Sequence, residues 1–232
     1  MDPISPPSLI LFFLLTTGLT VAALLAIVRS AAPRRLFAAA LGLTLWMALT
    51  YALASNGLLR FDTMPPTAMV VIGTSIVLST WVGLSAFGSQ IARNAPLWFL
   101  VGFQSFRLLV EIFLDWAYRA GIVPVQMTFE GRNWDILAGI TAIPVAWLIV
   151  RGKLGERGIF LWNCFGLALL LNIVTIAILS APLPFRVFMN DPPNVFVTRA
   201  PYIWLPAVLV QAAWLGHLLV FRKLHQASQL LP

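Results

Sequence analysis

The chain has 232 residues, of which 60% are hydrophobic and only 10% are charged, against roughly 25% charged residues in soluble domains. Several apolar runs reach the ~20 residues that cross ~30 Å of hydrocarbon, and the short connections leave no room for a soluble domain. The net charge of +7 falls mainly in short connections and not on a basic segment interleaved with aromatic residues, so we expect no nucleic-acid partner.

Hydropathy predicts an all-α bundle of seven transmembrane helices, forming one integral membrane domain over residues 1–232. The predicted spans, in chain order, are 9–28, 36–59, 67–87, 96–118, 135–150, 158–180 and 202–221. The first apolar run lacks the basic n-region of a signal peptide and is interpreted as a spanning helix. The fifth span is short and contains Pro144, which predicts a kink or a smaller tilt than in its neighbours.

The basic residues favour one set of connections over the other, which predicts an orientation in the lipid bilayer. Nine of them share one side, namely Arg29, Arg34, Arg35, Arg93, Arg151, Lys153, Arg157, Arg222 and Lys223. Five share the opposite side, namely Arg60, Arg119, Arg132, Arg186 and Arg199. The N-terminus is therefore expected outside and the C-terminus in the cytoplasm.

The fourth span contains the stretch QSFRLLVEIFLDWAYRAG, residues 104–121, with charges inside an apolar segment. At 100° per residue an arc of about 80° holds Gln104, Arg107, Glu111, Asp115 and Tyr118. If the helix begins near Pro96, Arg107 lies ~16 Å deep, near the midplane. A central charge costs about 2.5–3.5 kcal/mol, so we expect the stripe to face the bundle interior or a wet cavity. Arg107 is predicted to pair with Glu111, and Asp115 with Arg119, at i,i+4.

The connection after this helix, TFEGRNWD, supplies more polar residues on the side predicted to be outside. Asn133 suits an N-cap, and Asp135 suits the positive end of the next helix. Capping does not explain Glu130 and Arg132, which are placed to meet the outer end of the stripe. The candidate binding pocket comprises Gln104, Arg107, Glu111, Asp115, Tyr118, Glu130 and Arg132.

Other polar residues in the spans are assigned to packing. His217 is expected roughly 15 Å from Glu111 along the membrane normal if both helices are straight. That separation argues against a histidine–carboxylate catalytic pair or a shared metal, so His217 is interpreted as a packed, hydrogen-bonded histidine. Asn163, Asn172 and Gln211 are interpreted as interhelical hydrogen-bond partners, with Asn172 or Gln211 reaching Arg107 as the alternative.

Several established chemistries are absent from the sequence. The only lysines, Lys153 and Lys223, lie in predicted cytoplasmic segments, which excludes a Schiff base at mid-membrane. The single cysteine, Cys164, excludes an intrachain disulfide and a thiolate zinc site. There is no metalloprotease motif and no phosphate-binding glycine loop. We expect no metal and no cofactor.

The connection of residues 181–201 holds five prolines and many apolar side chains. We expect it to lie on the outer surface or at the interface, with Phe185, Phe188 and Phe196 tucked down. A lid over a cavity and an interfacial filler remain open as interpretations.

The stretches QSFRLLVEIFLDWAYRAGIVPVQMTFEGRNWDILAGITA and APYIWLPAVLVQAAWLGHLLVFRKL are similar to those of an uncharacterised family of small bacterial multi-pass membrane proteins. The resemblance is best in the second half of the chain. It implies a location in the bacterial inner membrane and transfers no catalytic residue.

Three functional classes remain open. The first is binding or translocation of a small polar solute or ion through an outward-facing pocket lined by the charged fourth helix, which predicts a water-accessible cavity. The second is a structural or assembly protein whose buried ion pairs only hold the bundle together, which predicts a dry, sealed stripe. The third is an intramembrane enzyme using Glu111 or Asp115 as acid and base, which requires a third group and a substrate-sized cleft.

Overall fold

The structure, a computed structural model, describes residues 5–229, and no strand occurs among them. The helices are α1 (Pro7–Ala31), α2 (Leu36–Ser55), α3 (Thr67–Leu84), α4 (Ala86–Asn94), α5 (Leu97–Phe103), α6 (Phe106–Arg119), α7 (Ile136–Val150), α8 (Glu156–Leu179) and α9 (Val210–Ser228). A 3₁₀ turn precedes α2, and a π-helical turn, Leu205–Leu209, precedes α9. The all-helical prediction is confirmed for this part of the chain.

Six helical segments of the described chain are long and apolar enough to cross a membrane, which indicates an integral membrane protein. They are Pro7–Ala31, Pro33–Ser55, Thr67–Leu84, Leu97–Arg119, Glu156–Leu179 and Leu205–Ser228. The seventh predicted span corresponds to α7, whose 15 residues extend only ~22 Å, less than the ~30 Å of hydrocarbon. The helix continues through Pro144. The bundle therefore combines six full-length candidate spans with one shorter apolar helix.

The fourth span tightens where α5 meets α6. The backbone N–H groups of Gln104, Ser105 and Arg107 each donate to the carbonyl three residues earlier, at 3.0–3.2 Å. This 3₁₀-type turn changes the angular spacing assumed for a regular helix. Gln104 consequently donates from Nε2 to the carbonyl of Ala213 in α9, at 3.1 Å.

Helix α9 is the central helix, and α3, α4, α5 and α8 all pack against it. Side-chain hydrogen bonds reinforce its contact with α3: Ser79 donates to Gln211 at 2.8 Å, and the Trp214 indole donates to Thr80 at 2.9 Å. Buried polar pairs of this kind join helices where lipid offers no hydrophobic driving force between them.

The connections alternate between two ends of the bundle. We call the end that holds residues 56–66, 120–135 and 180–204 the long-loop end, and the opposite end the basic end. Helix α4, which the hydropathy pattern did not predict, lies at the basic end. Ser85 accepts from the Gly88 N–H at its start (3.2 Å), and Lys223 donates to the carbonyls of Ala92 and Arg93 at its end (3.0 Å each). The basic side chain thus satisfies carbonyls that the short helix leaves free.

Residues 120–135, here called the re-entrant segment, run from the end of α6 back into the bundle. Gln126 donates to the Ser180 hydroxyl at 2.9 Å, and Asn172 donates to the carbonyl of Arg132 at 2.9 Å. Since Asn172 lies seven residues before the end of α8, Arg132 sits ~10 Å below the long-loop end. Irregular backbone is tolerated at such depth only where protein covers it, and Thr128 and Asn133 are fully buried.

The connection between α8 and α9 lies on the bundle through aromatic side chains. Phe196 is buried and contacts Phe113 and Tyr202, with ring centroids 6.4 and 5.7 Å apart. Phe188 is partly buried and lies under the Arg132 guanidinium, 5.4 Å from it. Phe185 is 56% exposed, so of the three phenylalanines expected to be tucked down the protein covers only Phe188 and Phe196.

Candidate functional site

A buried ion pair lies at the centre of the bundle and joins α6 to the start of α7. Arg107, 2% exposed, donates from Nε to Asp135 Oδ2 at 2.7 Å and from Nη2 to Asp135 Oδ1. The prediction that Arg107 pairs with Glu111 is wrong, because the re-entrant segment brings Asp135 to the guanidinium in bidentate geometry. Such fork-to-fork pairs combine charge with fixed orientation.

Two further N–H groups of Arg107 are also used. Nη2 donates to the carbonyl oxygen of Gly166 in α8 at 3.0 Å. Nη1 lies 3.0 Å from Nε2 of His217 in α9. Because a guanidinium only donates, Nε2 of His217 must accept. The ring proton is then on Nδ1, which donates to Asn163 Oδ1 at 2.8 Å. Arg107 thus fixes the relative positions of α6, α7, α8 and α9.

His217 is a packed, hydrogen-bonded histidine, as the sequence predicts. Asn163 receives its ring N–H and returns a hydrogen bond to its backbone carbonyl at 3.1 Å, which confirms Asn163 as an interhelical partner. Gln211 instead bonds Ser79 and Pro206, and Asn172 bonds the re-entrant segment. The alternative that one of these two amides reaches Arg107 is wrong.

The second carboxyl group, that of Glu111, is held by Asn133. Asn133 Nδ2 lies 2.7 and 2.6 Å from the two carboxyl oxygens and donates to the Met127 carbonyl at 3.0 Å. Its Oδ1 accepts from the Asp135 N–H at 3.0 Å, which fixes the orientation of the amide. The N-cap interpretation of Asn133 is wrong, since α7 begins three residues later, at Ile136, and the N-cap position is that of Asp135. Its amide positions a buried carboxyl group instead.

An ionised Glu111 would leave the charges in this cluster unbalanced. The single positive charge of Arg107 is paired with the carboxylate of Asp135. The hydrogen-bond partner of Glu111 is the side-chain amide of Asn133, and no cation of the described chain pairs with it. A carboxylate offers about four lone-pair positions, of which Asn133 uses part. The cluster is therefore suited to a proton, a cation or a hydrogen-bond donor beside Glu111.

A cavity of about 210 Å³ adjoins the cluster. It lies between α3, α6, α8 and α9, and its lining is apolar apart from Arg107, Glu111, Asp135, Asn194 and Gln211. An apolar cavity of ~150 Å³ accepts benzene, and pockets for drug-sized ligands begin at ~300 Å³. The cavity is thus large enough for a small molecule or one end of a longer one.

One polar atom in the cavity lining has no partner. Asn194 is 3% exposed, and its Nδ2 donates to the Ala177 carbonyl at 2.8 Å, but its Oδ1 has no hydrogen bond. A buried acceptor left without a donor costs stability. Asn194 and Glu111 therefore place two acceptors with unused hydrogen-bonding capacity in the cavity wall.

The other predicted site residues lie nearer the long-loop end, outside this cluster. Arg119 bonds Asp115 at 2.9 Å, which confirms the predicted i,i+4 pair, and it also bonds Glu130 at 3.2 Å. Arg119 is largely exposed, so this small network is a surface feature. Arg132 stacks on a phenylalanine ring, and Tyr118 is partly exposed.

The structure thus divides the predicted pocket and adds members to it. It brings Arg107 and Glu111 together with Asp135 and Asn133, and places Gln104 separately against α9. From the sequence, Asn133 and Asp135 were interpreted as capping residues. Their position as polar residues directly before a long apolar helix was the pattern that could have indicated a buried site. Within residues 5–229 no group of three or more His, Cys, Asp or Glu side chains is arranged to hold a metal ion.

The fold and the cluster define a helical membrane protein with a re-entrant segment that ends at a buried polar site. The chain belongs to the family described as Domain of unknown function (DUF8737), whose match covers residues 63–225. That range includes the whole cluster and, apart from Phe61, the whole cavity lining. The resemblance to an uncharacterised family is confirmed at that level. No curated protein and no solved structure matches the chain.

Proposed function

We propose that the protein binds a small ligand in the cavity beside Glu111, as a binding or transport protein of the membrane. The observation that carries this proposal is the contact between a cavity of about 210 Å³ and a buried carboxyl group that has no cation partner. Buried ionisable groups in membrane spans are costly and mark ligand or ion paths more often than simple packing.

The chemistry of the lining narrows the ligand. The sequence favours a small polar solute or ion, but most of the cavity wall is apolar, and a fully hydrated ion finds few partners there. The acceptors of Glu111 and Asn194 select a donor or a positive charge. A ligand with one donor group and an apolar body fits both features.

The alternative of a purely structural cluster accounts for Arg107, whose donors have partners in Asp135, Gly166 and His217. It does not account for the adjoining cavity or for the free acceptor of Asn194. The enzymatic alternative has less support, because His217 does not line the cavity. The second carboxyl group there, Asp135, is engaged by Arg107, so Glu111 lacks the further group that acid–base chemistry requires.

The proposed topology has seven crossings in a bacterial inner membrane, with the N-terminus outside. The re-entrant segment and α7 together make the fifth crossing, and the excess of basic residues at one end sets the orientation. Reporter fusions test it: a fluorescent protein at the C-terminus is expected to fluoresce, and a periplasmic phosphatase inserted after Asn190 is expected to be active. The reverse pattern would contradict the orientation.

Saturable binding of radiolabelled hexylamine to the protein in lipid nanodiscs tests the function. We expect one mole per mole of protein, lost on Glu111→Gln and on Val174→Trp, which fills the cavity from α8. The matched control is Val77→Trp on α3, which is outside the lining and 67% exposed, and it should bind as the unmodified protein does. Equal binding by all four proteins, or by none of them, overturns the proposal.

A further inference from the structure

The cavity opens through the side of the bundle. Two of its lining residues, Ile76 of α3 and Leu171 of α8, are 37% and 49% exposed. Each lies ~12–14 Å from the long-loop end of its helix, which is the depth of the hydrocarbon and not of the aqueous surface. Helices α3 and α8 each pack against α9, whereas no comparable packing joins them to each other in the described chain.

The long-loop end of the cavity is largely covered by protein. Of the lining residues there, Ala181, Asn194 and Val197 are at least 94% buried, and Phe61 and Ile178 are partly buried. Val197 belongs to the 3₁₀ turn that also buries Phe196 in the aromatic contacts of that end. The pocket expected from the sequence to face outward is therefore covered on that side and exposed toward lipid.

Resting on the proposed function, we propose that the ligand is a single-chain amphiphile that enters from the bilayer between α3 and α8. Its head is an amine or alcohol that donates hydrogen bonds to Glu111 and Asn194. Its chain lies along Ile76 and Leu171. The volume supports this arrangement. About 210 Å³ holds the head and the first part of a chain, and the lateral opening leaves the remainder in lipid. A carboxylate head fits less well than a donor, since it would face the carboxyl group of Glu111 and the free acceptor of Asn194.

The route is tested by spin labelling. The chain has one cysteine, so Cys164→Ser gives a cysteine-free background in which a nitroxide is attached at Leu171→Cys, at the lateral opening, where the label does not fill the cavity. Two standards use the same chemistry: Val77→Cys on the lipid-facing side of α3, and Met64→Cys in the exposed α2–α3 connection. Collisions are measured with oxygen, which concentrates in lipid, and with a water-soluble nickel chelate.

We expect the Leu171 label to match the Val77 standard, with high oxygen and low nickel accessibility. Dodecylamine and dodecanol in the bilayer should lower its oxygen collisions, whereas dodecanoate should not. Glu111→Gln should weaken the amine effect by about tenfold and the alcohol effect less, because only the amine carries a charge.

Other outcomes would refute the route of entry or the head-group assignment. Nickel accessibility like that of Met64 refutes access from lipid but leaves ligand binding at Glu111 intact. A label reached by neither reagent means that the side of the bundle is sealed there and overturns the route, while the binding of hexylamine tests the proposed function separately. The head-group assignment is refuted if dodecanoate lowers the oxygen collisions as much as dodecylamine does, or if Glu111→Gln leaves the effect of dodecylamine unchanged. Either result leaves the route intact.

Discussion

Removing Arg107 should destabilise the protein far more than removing the ion pair as a whole. Arg107→Met leaves the carboxylate of Asp135, only 6% exposed, without a counter-charge at the centre of the bundle. Breaking a buried pair in this way costs about 3–5 kcal/mol, because one desolvated charge remains. Asp135→Leu should cost a similar amount, since the guanidinium is then left with only His217 and the Gly166 carbonyl.

The double variant Arg107→Met/Asp135→Leu should lose less than either single variant. Replacing a whole buried pair by apolar side chains is often neutral or stabilising by about 1–4 kcal/mol, so most of the loss should be recovered. The free energy of unfolding can be measured by titration with SDS in detergent micelles, with helix content followed by circular dichroism.

A matched control is the exposed pair of Arg119 and Asp115, whose replacement by alanines should leave the unfolding midpoint unchanged. A second cycle between Arg107 and Glu111 should give a smaller coupling energy, since Glu111 bonds Asn133 instead. The reasoning is refuted if Arg107→Met costs less than about 1 kcal/mol, or if the two single losses add within about 0.5 kcal/mol in the double variant.

Three further substitutions test the packing and the polar network by the same SDS titration. Gly139→Ala puts a Cβ 2.5 Å from a backbone nitrogen of α6 and should cost about 1–3 kcal/mol, whereas Gly42→Ala meets nothing within 4 Å and should be neutral or stabilising; equal effects would contradict the close α6–α7 approach. Asn133→Asp replaces a buried donor with a third carboxyl group and should cost at least about 3 kcal/mol, while the exposed Asn190→Asp should be silent, and a silent result at both positions would contradict the amide's role. Thr80→Val removes the acceptor of an indole on α9 and should cost about 0.6 kcal/mol; a loss above about 2 kcal/mol would mean that the hydroxyl has a larger role than one interhelical bond.

The long apolar helices could be predicted because hydrocarbon thickness imposes both length and composition on a spanning segment. The predicted span of residues 96–118 differs by one residue at each end from the helical segment Leu97–Arg119. Helix α4 was not predicted, because the stretch SQIARN is too polar to stand out in a hydropathy profile. Its ends are held by Ser85 and Lys223, and the contact with Lys223 is visible only in the structure.

The site was only partly predictable, because its key contacts are long-range. Spacing along α6 made Glu111 the obvious partner of Arg107, yet the ion pair forms with Asp135, 28 residues away. Glycine and asparagine in the re-entrant segment resemble an ordinary surface turn, and no local pattern says that such a turn is buried. The unpaired acceptor of Asn194 is likewise visible only when the connection that holds it is packed over the cavity.

The re-entrant segment also constrains how the protein can be made. Apolar helices such as α1 and α2 can leave the insertion machinery one at a time, since their backbone groups bond internally. Residues 120–135 are irregular and cannot rest in lipid in that way. Two of their hydrogen bonds also wait for residues that are synthesised later: Asn172 of α8 donates to the Arg132 carbonyl, and Ser180, directly after α8, accepts from the Gln126 side chain. Biogenesis must therefore hold this segment at the membrane surface or inside the translocation channel until α8 arrives, so a chain truncated before α8 should be recognised by quality-control proteases even though its earlier helices are fully inserted.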